Sequence, residues 1–460
     1  MMERLLNYLN ISSAGSPNPE PQLAMPKTTP DTSALLKLPS EIIDQILRHL
    51  PPTALFATSA TCHLLRSHTE NDLLWVEFIR QNLSVHLRQP SHYNTWKELY
   101  TAHHPYWFLP KHKIWYSDKA NTESTLVGQV VLARYDHRTG CIDAYRLVAE
   151  HGPHIFKTWE RNSEVVIHTF NPKISLFLDD PVVRMHPSAY PPGGRLQQEI
   201  LMQREPDRSS HGIRSMMFLT RPIASELQMS SMALWPPNII PATHRVRNDS
   251  SNLFRGEAHR PRTLSEMSDT TFRMRKWMEF RGLGERLGVR MGEDVMTFST
   301  LPLDCYTPTK NKPWQGIWVG DYAGHGCEFL VVIQRDVDES RRIVPFPPEG
   351  PSFADPETGL LLDTSGEGTA VNPTEEEDPP GCTGRLEAIK LTGDPNVPRG
   401  EYTWVAEDIG RRGLVRVADE QMFKGARVVK SWGHIAARGF KDGRLYWRIK
   451  TSWLGLTCSR

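Results

Sequence analysis

The clearest hydrophobic pattern of the chain lies between Leu35 and Asn82. From Ser40, large aliphatic residues recur at the intervals of one helix face, with charged and amide side chains between them. Pro39 precedes this stretch and Pro51-Pro52 follow it, and proline starts helices well but cannot continue them. The pattern therefore predicts a helix from Ser40 to Leu50. Its aliphatic residues are Ile42, Ile43, Ile46, Leu47 and Leu50.

Two more helices are predicted after this one. The second starts at Thr53, a suitable N-cap, and continues to Leu65, and the third follows Asn71-Asp72. Three short helices make a small core that cannot cover all of its own apolar surface, so part of the stripe is expected to contact another protein. The alternative is an ordinary helical subdomain packed on the rest of the chain, and the spacing alone favours that alternative.

The order of residue types favours a partner-binding module over an ordinary helical subdomain. The series from Leu38-Pro39 to Leu74-Trp75 resembles the F-box motif over its whole length. This resemblance implies a helical adaptor that binds a Skp-family protein and so joins a cullin-RING ubiquitin ligase. Cys62, Leu65 and Trp75 are expected to pack the module and its edge. The residues expected to contact the adaptor are Leu38, Pro39, Ile42, Ile43, Ile46, Leu47, Leu50 and Leu55.

A helical and aromatic linker is predicted next, over residues 84–118. Trp96, Leu99 and Tyr100 lie at helical spacing, and a cluster of large rings follows Pro105. So many rings in a short span are expected to anchor the helical module onto the next domain. We interpret the adjacent residues His103 and His104 as solvated or capping residues and not as metal ligands.

From Val127 the hydrophobic period becomes that of strands, with Gly- and Pro-containing turns between them. A helix is expected only from Thr271 to Leu287, and long loops with short elements are expected over residues 188–270. The predicted strand pairs are Val130–Tyr135 with Cys141–Val148, Glu164–Phe170 with Ile174–Asp180, Gly316–Tyr322 with Cys327–Ile333, and Leu386–Thr392 with Glu401–Ala406, followed by a strand within Lys424–Phe440.

These patterns predict an α+β protein, in which a three-helix F-box precedes a mainly antiparallel β-barrel-like domain with long loop insertions. A closed or nearly closed barrel is favoured because many short strands follow one another without helices between them, and a β-sandwich is the alternative. The expected division is a disordered tail over 1–34, the F-box over 35–83, the linker over 84–118 and the β domain over 119–460. A disordered acidic insertion is expected at about 336–381.

The second half of the chain also resembles a known group. The stretches GIWVGDYAGHGCEFL and IKLTGDPNVPRGEYTW, with Gly433 to Phe440, resemble the F-box only protein 31 group and its fungal F-box relatives. The resemblance implies that a barrel-like substrate domain follows the F-box. In that group further strands close the barrel after Phe440, whereas here the sequence stops at Arg460. The resemblance therefore does not decide whether the barrel closes.

Composition narrows the class of partner. Lys and Arg total 54 and Asp and Glu total 53, so no net basic field favours nucleic acid or an anionic membrane. No apolar run approaches the length of a membrane span. The six cysteines are scattered without a C-x-x-C pair, which indicates free thiols in a reducing compartment and no metal site. We therefore expect a cytoplasmic or nuclear protein without a cofactor.

The residues around the turn after Gly316 raise the question of catalysis. Asp321, His325, Cys327 and Glu328 are close in sequence, but nothing identifies a base orienter or an oxyanion donor, so no catalytic residue is assigned. We expect a non-catalytic receptor that holds an unidentified target protein. The rival is a small-ligand-binding or enzymatic β-barrel with a helical accessory domain, which requires a deep pocket with perturbed titratable groups.

Aromatic residues near the expected barrel loops are the candidates for target contact, because binding hot spots are rich in aromatic and arginine residues. The alternative for each of them is that its ring fills the barrel interior. The candidates are Trp314, Trp318, Tyr322, His325 and Trp404.

Overall fold

The computed structural model describes residues 33–83, 87–117, 128–150, 152–190, 193–202, 211–224, 233–234, 246–247, 256–280, 289–321, 327–336, 378, 380–393, 399–435 and 439–447. Within these ranges the helices cluster at the N-terminal end and antiparallel strands dominate the rest, which confirms the α+β class. No helix among the described residues has the length and apolar character needed to cross a membrane.

Residues 35–83 contain one more α-helix than the pattern predicted. The predicted second helix is interrupted because Cys62 is extended (φ −154°), and its Sγ accepts a hydrogen bond from the Leu65 amide at 3.5 Å, which starts a new helix. After a 3-10 turn over Ala34–Lys37, the helices are α1 Ser40–Arg48, α2 Pro52–Ser59, α3 His63–Thr69, α4 Asp72–Asn82, α5 Trp96–His103 and α6 Phe108–His112, with α7 Leu303–Tyr306 later in the chain.

The strands that follow form a large first sheet. The strands in this part of the chain are β1 Ile114–Ser117, β2 Val130–Asp136, β3 Cys141–Glu150, β4 His154–Trp159, β5 Asn162–Phe170, β6 Lys173–Phe177, β7 Val183–Met185, β8 Ile200–Leu201, β9 His211–Leu219, β10 Ala233–Leu234, β11 Val246–Arg247, β12 Thr271–Phe280 and β13 Val289–Ser299. The order of the first sheet is β6-β3-β2-β1-β13-β12-β9-β8, with β7 paired to β3. Two small two-stranded sheets, β4-β5 and β10-β11, accompany it.

The remaining strands form a second sheet. They are β14 Gly316–Asp321, β15 Cys327–Arg335, β16 Arg385–Lys390, β17 Tyr402–Ala406, β18 Leu414–Val417, β19 Arg427–Ile435 and β20 Gly439–Trp447. Their order is β14-β15-β16-β17-β19-β18, with β20 paired to β19. The predicted hairpins, β14 with β15 and β16 with β17, are confirmed.

Two local predictions are wrong. The stretch from Thr271 is not a helix, because its first ten residues form β12 between β9 and β13. The rest of that stretch, residues 281–287, lies outside the described residues. Strands β5 and β6 exist, but they do not pair with each other, because β5 pairs with β4 and β6 pairs with β3.

The expected closed barrel is absent from the part of the chain that the structure describes. The first sheet runs from β6 to β8 without a pairing between these two end strands, and the second sheet is a separate path. The β region is therefore built from two large open sheets. Closure fails because the strands pair within two sets, one before and one after α7.

Strand β1 separates the two main cores. Trp115 faces a core that runs without interruption from the F-box helices to the first sheet, and Ile114 and Tyr116 face a second core between the two sheets. This alternation is the ordinary two-residue period of a strand. The Arg399 guanidinium also joins the sheets, because its Nη1 donates to the Ser117 carbonyl at 2.5 Å.

Candidate functional site

Helix α1 divides its aliphatic residues between the interior and the surface. Ile43 and Leu47 are 2% and 3% exposed and pack in the helical core together with Leu55. Ile42 and Ile46 are each 40% exposed, and they lie one helical turn apart. Leu38 (39% exposed) and Pro39 immediately precede the helix and are also exposed. We call Leu38, Pro39, Ile42 and Ile46 the α1 outer face.

The orientation of α1 is fixed from its other flank. The Asp44 carboxylate contacts His68 Nδ1 at 2.7 Å and accepts a hydrogen bond from Asn71 Nδ2 at 3.1 Å. Within the same module, Trp75 Nε1 donates to the Thr69 carbonyl at 2.7 Å in a fully buried position. These contacts hold α1 against α3 and α4, so the α1 outer face points away from the helical core.

The eight residues predicted to contact an adaptor therefore occupy different environments. Ile43, Leu47 and Leu55 are buried in the core of this chain, and Leu50 is half-buried. The other four form the α1 outer face. Residue spacing could not separate the two groups, because one broad apolar stripe contained both. Several exposed aliphatic side chains on one stripe are the feature expected of a protein-binding surface.

The second candidate site contains the aromatic residues of the second sheet. Trp314 is buried, Trp404 is half-buried, and Trp318 is 37% exposed with its Nε1 donating to the Trp314 carbonyl at 3.1 Å. Tyr322 and His325 lie outside the described residues. Trp314 and Trp404 pack in one core cluster, so these two rings fill the interior of the sheet region at least in part.

The strand register places Trp318 and Trp404 on the same face of the second sheet. Trp318 lies opposite Leu330, and Trp404 lies opposite Ala388, which lies opposite Val332. Residues directly opposite each other in a sheet share a face, and Leu330 and Val332 are two residues apart on β15. The structure therefore places two of the predicted candidates on one face of the second sheet, with β15 and β16 between them.

A buried ion pair lies on that same face. Lys390 Nζ is 2.6 Å from Glu328 Oε2, and both side chains are fully buried. Lys390 lies opposite Leu330 on one side of β15, and Trp318 lies opposite Leu330 on the other side. Sequence reasoning considered Glu328 only as a catalytic group and did not single out Lys390. The available signal was the presence of charged residues of both signs in two neighbouring strands with many apolar residues, CEFLVVIQR and RLEAIK.

The opposite face of the second sheet buries another charge. The Glu387 carboxylate contacts Arg335 and Arg385, each at 2.8 Å, and accepts a hydrogen bond from Tyr402 at 3.3 Å. Burial and the neighbouring Glu387 carboxylate raise the pKa of Tyr402 to about 12. The tyrosine therefore stays protonated and donates its hydrogen bond at neutral pH.

The described residues contain no group of three or more His, Cys, Asp and Glu side chains that could hold a metal ion. His103, which sequence reasoning treated as solvated or capping, is in fact fully buried. Burial and the Arg195 charge lower the pKa of His103 to about 3. Its ring nitrogens lie 3.3 Å from Tyr93 Oη and 2.9 Å from Tyr190 Oη.

Two family models match the chain, one in each candidate region. Residues 35–81 match the F-box-like family, and residues 298–449 match the cyclin D1 binding domain. The first match covers α1 to α4 and includes the α1 outer face, and the second covers the second sheet. Among curated proteins, no sequence matches the chain. The chain thus carries an F-box-like domain where the residue order resembles the F-box motif.

Proposed function

We propose that this protein is the substrate-recognition subunit of an SCF-type (Skp-cullin-F-box) ubiquitin ligase. The observation that carries the proposal is the α1 outer face, a set of exposed aliphatic residues inside a domain that matches the F-box-like family. F-box domains bind a Skp-family adaptor and through it a cullin-RING ligase. The protein would contribute no chemistry of its own, because it acts by raising the concentration of target lysines near the ligase-bound ubiquitin conjugate.

The target-binding half of the proposal concerns residues 298–449. The name of the matching family refers to cyclin D1, so a cyclin is the first class of target to test. The face of the second sheet that carries Trp318 and Trp404 is the proposed contact region, with Tyr322 and His325 retained as candidates. We also place the chain in the F-box only protein 31 group and in the cytoplasm or nucleus as parts of this proposal.

Co-purification with the Skp-family adaptor tests the proposal. The variant Ile42→Asp/Ile46→Asp places two carboxylates on the α1 outer face, where water solvates them in the free protein but an adaptor would bury them. We expect the wild type to capture the adaptor and this variant to lose it while keeping its circular dichroism spectrum and its thermal unfolding midpoint.

The matched control is Ile213→Asp/Met278→Asp. These two residues lie opposite each other on β9 and β12 of the first sheet and are also exposed. The control makes the same chemical change away from the helices and is expected to retain the adaptor. Equal capture by both variants would contradict the assignment of the α1 outer face, and a folded wild type that captures no adaptor would refute the ligase function.

A further inference from the structure

Helix α5 extends the F-box-like domain towards the first sheet. Its N-terminal end is held by α4, because Asp72 Oδ1 accepts a hydrogen bond from the Trp96 amide at 3.1 Å. Along its length Tyr100 packs against Trp75, with ring centroids 5.3 Å apart. Helices α4 and α5 are therefore packed firmly together. Because α4 belongs to the F-box-like domain, the orientation of α5 relative to the first sheet determines the orientation of that domain.

The C-terminal end of α5 is bound by a side chain from the sheet side. Arg195 Nη1 lies 3.2, 3.0 and 2.6 Å from the carbonyl oxygens of Thr101, Ala102 and His104. Thr101 and Ala102 belong to the last turn of α5, where the carbonyls carry the negative end of the helix dipole, and His104 is its C-cap, so a guanidinium group is well suited to this end. The preceding residue Gly194 has φ +58°, a conformation that glycine adopts without strain.

The segment after Arg195 is attached to the first sheet. Gln197 exchanges two hydrogen bonds with the 260–261 segment, to the Pro261 carbonyl at 2.7 Å and from Arg260 at 2.6 Å. The Glu199 carboxylate contacts Arg275 of β12 at 3.2 Å, and Ile200 begins β8. Arg195 therefore bridges the body that contains the F-box-like domain to the body that contains the sheet.

Two stacked tyrosines fix the position of the guanidinium. Arg195 lies over the Tyr190 ring at 4.6 Å, and Tyr190 stacks on Tyr106 with ring centroids 5.1 Å apart. Tyr106 Oη donates to the Arg195 carbonyl at 2.9 Å, and Tyr190 Oη lies 2.9 Å from His103 Nδ1 in α5. The helices and the first sheet also share one continuous hydrophobic core, and to this packing the planar guanidinium between carbonyls and a ring adds a directional contact.

We propose that Arg195 is a positioning residue that fixes the angle between the F-box-like domain and the first sheet. The consequence for the ligase rests on the proposed function: a fixed angle sets which lysines come within reach of the ubiquitin conjugate. A flexible joint would instead present many lysines in turn.

Double electron–electron resonance on the full chain tests the angle without any partner. Spin labels are attached to noncanonical amino acids that replace Gln45 on α1 and Met291 on β13, both exposed positions. We expect one narrow distance peak in the wild type and a broader peak in Arg195→Ala. Arg195→Lys keeps the charge but not the planar fork and is expected to lie between the two. The control Arg221→Ala removes an arginine that pairs with Glu266 on the sheet side, and it is expected to keep the narrow peak.

A merely stabilising role would lower the unfolding temperature of Arg195→Ala and leave its distance peak unchanged, and that result would overturn the proposal. If Arg195→Ala does not fold, Arg195→Lys decides it, since a broadened peak supports the proposal and an unchanged peak overturns it. The result is separate from the ligase assignment, because the distance is measured in the free chain. In a reconstituted ligase, the Arg195→Ala variant is expected still to bind the adaptor. More lysines of the variant chain itself are expected to become ubiquitinated than in the wild-type chain.

Discussion

Soluble proteins usually bury aliphatic side chains and expose charged ones, and two regions of this molecule depart from that rule in different ways. The F-box-like domain exposes Leu38, Ile42 and Ile46, whereas the second sheet buries Lys390 and Glu328. Exposed aliphatics on one stripe gain free energy when a partner covers them. Buried charges need a partner within the fold, because transfer of an ion out of water costs several kcal/mol.

The comparison separates two kinds of substitution. On the α1 outer face a change should affect binding of a partner and leave folding intact. In the second sheet a change of one charge should affect folding first, and any effect on target binding must be measured against that loss of stability.

The largest effect is expected at the buried ion pair. Lys390→Met removes the ammonium group that contacts Glu328 and is expected to lower the free energy of unfolding by about 3–5 kcal/mol, because a carboxylate then stays in the interior without that contact. Urea unfolding followed by tryptophan fluorescence measures the change. The double variant Lys390→Met/Glu328→Leu is expected to recover most of the loss. A double variant as unstable as the single one would show that packing, and not charge, dominates at this position.

The next effect contrasts the two faces of α1. Leu47→Ala creates a cavity in the helical core and is expected to cost about 2–5 kcal/mol, whereas Ile46→Ala on the surface is expected to cost no more than about 0.5 kcal/mol. Thermal unfolding of the two variants makes the comparison within one helix. Similar losses for both would mean that the α1 outer face is covered within the free chain.

A smaller effect is expected in the pH dependence of stability. The pKa of His103 is lowered from 6.5 to about 3, so the ring is neutral in the folded protein and takes up a proton on unfolding in acid. Its contribution to stability is present above pH 6.5 and is lost as the pH falls towards about 3. We expect this group to remove about 3 kcal/mol between about pH 7 and pH 4.

The test is His103→Gln, which keeps a neutral hydrogen-bonding side chain between the two tyrosines. The variant is expected to show a shallower fall of unfolding free energy with decreasing pH. Some slope should remain, because burial and Arg195 lower the pKa of His104 to about 4 in the same direction. An unchanged slope would show that His103 is protonated in the folded protein at acid pH.

Sequence reasoning was most successful where structure is local. The start of α1 at Ser40 follows from Pro39 and the aliphatic spacing, and the β2–β3 hairpin follows from two apolar runs around a turn that ends in Gly140. It failed at β12, where Phe272, Met274 and Trp277 suit either a helix or a strand. This stretch is a strand because it pairs with β9 and β13, and β9 is distant in sequence. The same long-range pairing produced two open sheets where a barrel was expected.

The site was predictable in kind but not in detail. The order of residues from Leu38 to Trp75 indicated an F-box, and the family match at 35–81 agrees with it. Which side chains face outwards depends on Asp44, which contacts His68 and Asn71 across the helices, and no spacing rule reports such a contact. The Arg195 joint was equally hidden, because its partners lie about ninety residues earlier in the chain.

The most direct measurement is hydrogen–deuterium exchange of the purified chain with and without a saturating amount of the Skp-family adaptor. We predict slower exchange in the segment that carries the α1 outer face, from Ala34 to Arg48, and unchanged exchange in β15 and β16 of the second sheet. Exchange that is unchanged in Ala34–Arg48, or protection confined to the second sheet, would contradict the assignment of this surface to the adaptor and with it the proposed place of the protein in a ubiquitin ligase.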